Sequence, residues 1–428
     1  MKLLISFFLA LPFCMVATKL SYRNYKVYKI TPHDETALKE LQEWGDEAME
    51  FSKYQFWSGP TKVGSETNLM VAPEMQVYFE RLLAAMNVDV STMIEDVQQV
   101  IDMENRWVRV DEPNPVNWTV YNTLDEINNW LEELTVEYPD VVEILKPGKT
   151  REGRDIVGLK LDFSPNVEKQ VVFMEFNIHA REWITSATAT WLLNQYLRSE
   201  DIDVRALAER YTWYFFPVMN PDGFVYSHEV NRMWRKTRTR YNIHCWGADP
   251  NRNWGYKWMN GGASQNPCSD IYAGPEPFSE PSVKVMSQFI ESVQENMVAY
   301  LDFHSYSQML LLPFGHTTEH LANYAEMMKI AEIAMNELKS VYDTEYVFGN
   351  VAETIYIASG SSMDWVKGEF NTSIVYTYEL RDKGQFGFLL PADQIIPNCE
   401  ETLKSILAIF REYEALYPGQ NIIRRDLG

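Results

Sequence analysis

The run from Val171 to Leu193, VVFMEFNIHAREWITSATATWLL, limits what this chain can become more than any other stretch. It opens as an apolar segment rich in β-branched and aromatic residues, which predicts a buried strand. A short polar interruption then presents His179 and Glu182, and a helical pattern takes over at once. Strand, turn and helix in that order belong to an open α/β sheet, whose ligands settle beyond the carboxyl ends of the strands. Two further runs end alike: VAYLDF, residues 298 to 303, delivers His304, and SIVYTYELRD, residues 373 to 382, carries Glu379. Two imidazoles and a carboxylate form the ligand set of a catalytic zinc with an open fourth position, and Glu379 is left over as a base.

The chain holds only seven histidines. His33 lies in a small N-terminal unit, His228 and His244 in a polar loop, and His316 and His320 in a segment heading a helix. His304 alone follows a buried-looking strand, so it is the best third ligand. An HxxE pair taken by itself more often marks a satisfied surface or core pair than a metal site. The HExxH arrangement offers no rival, because His228-Glu229 is followed by Arg232 where a second histidine would stand.

A chain of 428 residues suits a large domain plus a smaller one. Its net charge of -22, with no basic stripe to follow a phosphate backbone, argues against nucleic acid as a partner. MKLLISFFLALPFCMVATKL reads as a signal peptide cleaved near Ala17, with an uncleaved anchor as the competing reading. No later stretch is long and apolar enough for a membrane helix, so a secreted protein is expected. Of the four cysteines, Cys14 leaves with the signal. Cys245 and Cys268 bracket a loop rich in Asn, Gly, Ser and Pro, where an oxidising compartment allows a local disulfide. Cys399 is either an inert buried thiol or a free one. Asn117-Trp118-Thr119 and Asn371-Thr372-Ser373 match the glycosylation sequon.

From Tyr25 to Asp102 the pattern predicts a small α+β unit with helices on one face of an antiparallel sheet. YKVYKI reads as a strand, Asp34 to Phe51 as a helix, VAPEMQVYFERLLAAMN as a second helix with Pro73 at its start, and STMIEDV as another strand. One further strand fits between the helices. VQQVIDMENRWVRVDEPNPVNW then reads as a helical tether dissolving into a Pro- and Asn-containing stretch. Arg106 and Arg109 at that junction invite a trypsin-like cut, and a plain interdomain linker is the alternative. A capping box of Thr123 with Glu126 opens the large domain. Strands flank the turn KTREGRD, another covers residues 211 to 218, and residues 220 to 280 show few signs of regular structure. Loops that long are usually functional. Helices near 282 to 295, 318 to 342 and 397 to 416 alternate with the strands that end at Phe303 and Glu379.

The polar loop concentrates Arg232, Arg235, Lys236, Arg238, Arg240 and Arg252 in an acidic protein. A solvated charge run explains such a patch. So does a carboxylate clamp, since guanidinium forks bind carboxylates bidentately and Asn251 adds donors.

NIHAREWI, NRMWRKTR, DPNRNW, HSYSQ, IYIASGSSMDW and YELRDKGQFGFLLPADQIIP, taken together and in order, resemble the pancreatic-type zinc carboxypeptidases, the A/B group of that metallopeptidase family. The resemblance covers the chain after Arg109, and the region before it is similar to the family's inhibitory pro-segment. It implies an α/β fold with a mixed central sheet flanked by helices, preceded by a small α+β open-sandwich pro-domain. Residues 1–17 would be the signal peptide, 18–109 the pro-segment with its helical linker, and 110–428 the catalytic domain. By the same resemblance His179, Glu182 and His304 bind one zinc ion, Glu379 is the general base and Arg235 stabilises the oxyanion. Asn251, Arg252 and Tyr356 match the clamp on the substrate's terminal carboxylate, and Arg181, Ser305 and Tyr306 match the outer subsites. Met363 stands where B-type enzymes have aspartate, among Leu311, Gly315, Ala358, Ser361 and Thr377, none of them charged. Such a pocket should take apolar C-terminal residues and reject Lys and Arg. The spacing of Cys245 and Cys268 agrees with the family's loop disulfide. The implied partners are peptide and protein C-termini, the chain's own pro-segment as inhibitor and an activating trypsin-like protease, for a monomer that needs neither nucleic acid nor membrane. Broad or basic specificity, or a non-catalytic binding relative, are the competing readings.

Overall fold

The computed structural model of the chain describes residues 19–47, 53–104 and 116–418. The expected signal peptide with Cys14, and the expected cleavage region with Arg106 and Arg109, lie outside the described residues. The N-terminal unit runs β1 (Lys26–Pro32), α1 (Glu35–Glu47), β2 (Tyr54–Ser58), β3 (Thr67–Val71), α2 (Gln76–Ala85), β4 (Val88–Ile94) and α3 (Val97–Glu104). Its strands form an antiparallel sheet in the order β2-β3-β1-β4. Period-2 alternation sends Leu69 and Val71 toward Leu41 of α1 and Phe79 and Leu83 of α2. Met70 and Val27 point the other way, into a core shared with Met233, Tyr306 and Phe388 from the large domain. Every residue of β3 is buried as a result. That double burial removes the apolar-polar alternation that marks a strand in sequence, and two strands stand where one was expected. The second helix is preceded by a short 3₁₀ turn, Pro73–Met75, and the last strand lies three residues earlier than predicted because Val97 already belongs to α3.

The large domain continues with α4 (Leu124–Glu137), β5 (Val142–Leu145), β6 (Gly158–Leu161), β7 (Val171–Phe176), α5 (Trp183–Arg198), α6 (Ile202–Arg210), β8 (Thr212–Phe216) and α7 (Pro221–Glu229). It then adds α8 (Pro281–Val293), β9 (Met297–Ser305), β10 (Met309–Leu312), α9 (Tyr324–Tyr342), β11 (Val347–Asn350), α10 (Val351–Thr354), α11 (Ser362–Phe370), β12 (Ile374–Leu380) and α12 (Ile395–Leu416). Its eight strands are ordered β11-β10-β12-β9-β7-β8-β6-β5, and the central β12, β9, β7 and β8 run parallel. Parallel strands are covered on both faces, which is why β7 is a nearly unbroken apolar run. Val172, Met174 and Phe176 face α4, α5, α9 and α12, whereas Val171 and Phe173 face α8 and α11. The mixed sheet between helices agrees with expectation, as does the capping box, in which the Thr123 amide donates to Glu126 at 2.8 Å.

Residues 220–280 hold more regular structure than expected, because α7 lies there. Asn-Pro-Asp-Gly has the composition of a turn, yet Asn220 acts as an N-cap, accepting the Gly223 amide at 3.1 Å, and Pro221 fills the first helical position. Two short strands and α6, α10 and α11 were also not foreseen, and α9 begins at Tyr324 rather than near 318. Cys245 and Cys268 form a disulfide within the long loop, and Cys399 is a buried free thiol. No helix among the described residues is long and apolar enough to cross a membrane.

The two units are joined by a buried ion pair. Arg232 donates through Nε and Nη2 to both oxygens of Glu104, at 2.8 and 2.7 Å, and lies 3.6 Å over the Trp183 ring. Removing one partner of a buried pair strands the other charge. Glu104→Ala should therefore cost about 3–5 kcal/mol of unfolding free energy. Glu95→Ala, which breaks an exposed pair with Lys26, should cost less than about 1 kcal/mol. Chemical denaturation of the two variants makes the comparison.

Candidate active site

The turn between β7 and α5 is shaped by Asn177, which takes the left-handed conformation at φ 53°. Its side chain donates to the Glu182 carbonyl at 3.1 Å, and its amide donates to Thr185 Oγ1 at 3.0 Å. Asparagine tolerates this conformation because its short polar side chain can bond locally. Glu182 then occupies the N-cap of α5, but its carboxylate makes no capping bond. It points instead at two imidazoles. His179 Nδ1 lies 2.9 Å from Glu182 Oε1, His304 Nδ1 lies 3.0 Å from Oε2, and the two Nδ1 atoms are 3.0 Å apart. His304 arrives from the end of β9, and parallel pairing places Glu379 of β12 directly beside it.

The outer nitrogens of both rings meet carboxylates: His179 Nε2 lies 3.0 Å from Asp249, and His304 Nε2 lies 3.0 Å from Asp302. With the proton of each ring on Nε2, as the two carboxylates favour, both Nδ1 atoms and an anionic oxygen face one another in a buried space. Such a set attracts a cation, and donors about 2.0–2.2 Å from a zinc ion are spaced roughly 3 Å apart. The residues present fit zinc. They are also the one group of three such side chains, among the described residues, that converge tightly enough to hold a metal.

Arg235 donates through Nε and Nη2 to Asp249 Oδ2, at 3.2 and 2.8 Å, so that Nη1 faces the site, 4.0 Å from Glu182. One carboxylate thus orients both a ligand and a cation. Arg252 donates to the carbonyls of Gly262 and Asn251, each at 2.9 Å, and to the Tyr356 hydroxyl at 3.3 Å. Asn251 Oδ1 accepts the Ser362 amide at 3.0 Å, and its Nδ2 lies 3.1 Å from His304 Nε2. Burial pushes the Glu379 carboxyl up to about 8, reinforced by Glu182 and Asp302 and opposed by His304 and Arg235. A bound cation would act in the lowering direction.

One cavity is lined by His179, Glu182, His304, Ser305, Tyr306, Arg235, Asn251, Arg252, Tyr356, Met363 and Glu379, together with the expected Leu311, Gly315, Ala358, Ser361 and Thr377. Arg181 is the exception. It borders a neighbouring cleft, its guanidinium 4.1 Å over the Phe388 ring. Asp249, Asp302, Val351 and Ile355 went unrecognised in the sequence. The two aspartates carry a faint signal, each standing two residues before a residue of the site.

Two buried histidines and a glutamate, with an unligated glutamate and a guanidinium beside them, define a metal-dependent hydrolase. Residues 127–405 match the family described as zinc carboxypeptidase, and residues 28–104 match the carboxypeptidase activation peptide. The chain is 43% identical over 399 residues to the zinc carboxypeptidase A 1 of Anopheles gambiae, covering 92% of this chain and 90% of that one. It is 41% identical over 296 residues to the carboxypeptidase B of Astacus astacus, covering 69% of this chain and 97% of that one. The crystal structure of thrombin activatable fibrinolysis inhibitor superposes with a TM-score of 0.84 at 29% identity, covering 91% of this chain and 98% of that one. The chain belongs to the zinc carboxypeptidase family. It is a zinc-dependent metallocarboxypeptidase that carries an activation peptide, and is therefore made as a zymogen. Asp249→Asn should weaken zinc binding by about 10–100-fold, since it removes the partner that orients His179. Competition against a chromogenic chelator measures the change.

Proposed function

We propose that the protein is secreted as a monomeric zymogen, cut after Arg109 by a trypsin-like protease, and then removes apolar residues from the C-termini of peptides and proteins. The domain limits at 17 and 109 belong to this proposal. The observation that carries it is the mixed lining of one cavity: cationic donors together with the candidate metal ligands, and Met363 among uncharged residues. Relatives named for A-type and B-type enzymes match this chain at similar identity, so overall similarity does not decide specificity.

In this reading His179, Glu182 and His304 hold the zinc, which when bound supplies Lewis acidity and lowers a water's pKa toward ~7. Glu379 takes the proton of the attacking water and passes one to the departing amine. Arg235 Nη1, held in place through Asp249, faces the negative charge that develops on the carbonyl oxygen. Arg252, whose bonded partners among the described residues are two carbonyls and a phenol, keeps its charge for the substrate's terminal carboxylate, with Asn251 and Tyr356 beside it. Only a chain end supplies that anion, which makes the reaction exopeptidic. Met363, 3% exposed, meets the terminal side chain, and burying Lys or Arg against it without a counter-ion is costly.

The activation peptide itself supports an inhibitory role. Trp57, Ser58 and Gly59 line the same cavity, Trp57 packs against Phe388 with ring centroids 5.6 Å apart, and Asn68 donates to the Tyr306 hydroxyl at 2.7 Å. The peptide thereby covers Tyr306 and packs against Phe388, over whose ring Arg181 lies, at the outer subsites of this reading.

Glu379→Gln should lower kcat by about 10²–10⁴ while the zinc content stays unchanged. Trypsin treatment should expose Val110 as a new N-terminus, read by Edman sequencing. The cleaved protein should turn over peptides ending in Phe or Leu faster than those ending in Lys, and a faster rate on Lys contradicts the proposed specificity. Met363→Asp should raise the Lys-over-Phe ratio of kcat/KM by about 10²-fold or more.

A further inference from the structure

Beside Met363 stands a carboxylate that the reaction does not use. Asp364, in the first turn of α11, is fully buried and does not line the cavity. Both of its oxygens accept the Gly315 amide, at 2.8 and 3.0 Å. Oδ2 also accepts the His316 amide at 3.1 Å and lies 2.8 Å from His316 Nδ1. A buried anion is tolerated when such donors surround it, and these four contacts all go to one short stretch of chain.

That stretch forms a wall of the cavity. Gly315 lines it against the start of α11, and its carbonyl accepts the Ala358 amide at 2.8 Å, joining the wall to a second lining residue. The fit leaves no slack: a Cβ on Gly315 would lie 2.6 Å from the Ala358 carbonyl oxygen and 3.3 Å from Val351 Cγ1. The His316 ring is wedged between aromatic neighbours, its centroid 4.9 Å from Phe314 and 5.4 Å from Tyr256. Met363 is adjacent to Asp364 on the same helix, and its sulfur accepts the Thr377 hydroxyl at 3.2 Å. Floor and wall are thus referred to one helical turn.

We infer that Asp364 is a positioning residue for specificity: by tying Gly315 and His316 to the start of α11, it sets the width of the cavity that receives the terminal side chain. The inference rests on the reading of that cavity given under the proposed function. On that reading, the aspartate next to the pocket is not a counter-ion for a basic side chain. Its oxygens are engaged by the wall and are not directed at a substrate.

Steady-state kinetics of the zinc-loaded, cleaved protein on peptides ending in Ala, Leu, Phe and Lys tests the inference, with Asp364→Asn and His316→Gln as variants. A loosened wall should raise KM for Phe-ended peptides about tenfold, with kcat within about twofold and KM for Ala-ended peptides nearly unchanged. His316→Gln, which keeps both backbone amides, should shift the same ratio in the same direction by about threefold. If Asp364→Asn does not fold, the His316→Gln ratio decides alone. Equal loss of kcat on every substrate with KM constant, or an unchanged Phe-over-Ala ratio, overturns the inference. A wild-type preference for Lys would instead overturn the apolar reading, leaving the variants' selectivity ratio to judge Asp364.

Discussion

Two imidazole nitrogens and a carboxylate held about 3 Å apart in a buried space are an arrangement that a protein must enforce. Together they attract a cation, and the low local dielectric makes that attraction larger than in water. Enforcement comes from the parallel core of the sheet. Neighbouring strands end at the same level, so the turn after β7 and the last residues of β9 and β12 meet at one edge. Asp249 and Asp302 then lock the rings from behind. The aromatic stack of Phe176, Phe303 and Tyr378, with centroid distances of 4.3 and 4.9 Å, packs three of those strands together beneath the site.

The activation peptide exploits the same edge. Its strand β3 is packed on both faces, on the unit's own helices on one side and on Met233, Tyr306 and Phe388 near the candidate metal ligands on the other, whereas the edge strand β4 is largely exposed. Hydrophobic contact of that kind is non-directional, so the specific registration comes from polar bonds, chiefly Glu104 with Arg232 and Asn68 with Tyr306. Arg181 illustrates the tension in this covered state. Burial lowers its pKa to about 10, and among the described residues its Nε and Nη1 find no hydrogen-bond partner.

Much of this was legible in the chain alone. The β7 run, the residues that follow it and the ends of β9 and β12 announce a site, because a parallel strand must be apolar and its polar successor is therefore conspicuous. Seven histidines made the third ligand a choice by elimination. Other features carry no such contrast. Asp249 and Asp302 look like any aspartate until the fold brings them behind an imidazole. Asn220-Pro221 spells a turn and a helix start equally well, which hid α7. Val351 and Ile355 reach the cavity only through β11 and the brief α10, elements too short to show a period. Asp364 follows Met363 in the chain, but the direction of its carboxylate is a matter of three-dimensional packing.

The central claim is that these three side chains hold one zinc ion with a position left open. X-ray absorption at the zinc edge, on purified protein with measured metal content, tests it most directly. The account predicts one zinc per chain in a shell of nitrogen and oxygen only, containing two imidazoles and no sulfur, and lost together with the metal in Glu182→Ala. A sulfur ligand, or a full complement of zinc in that variant, would contradict it.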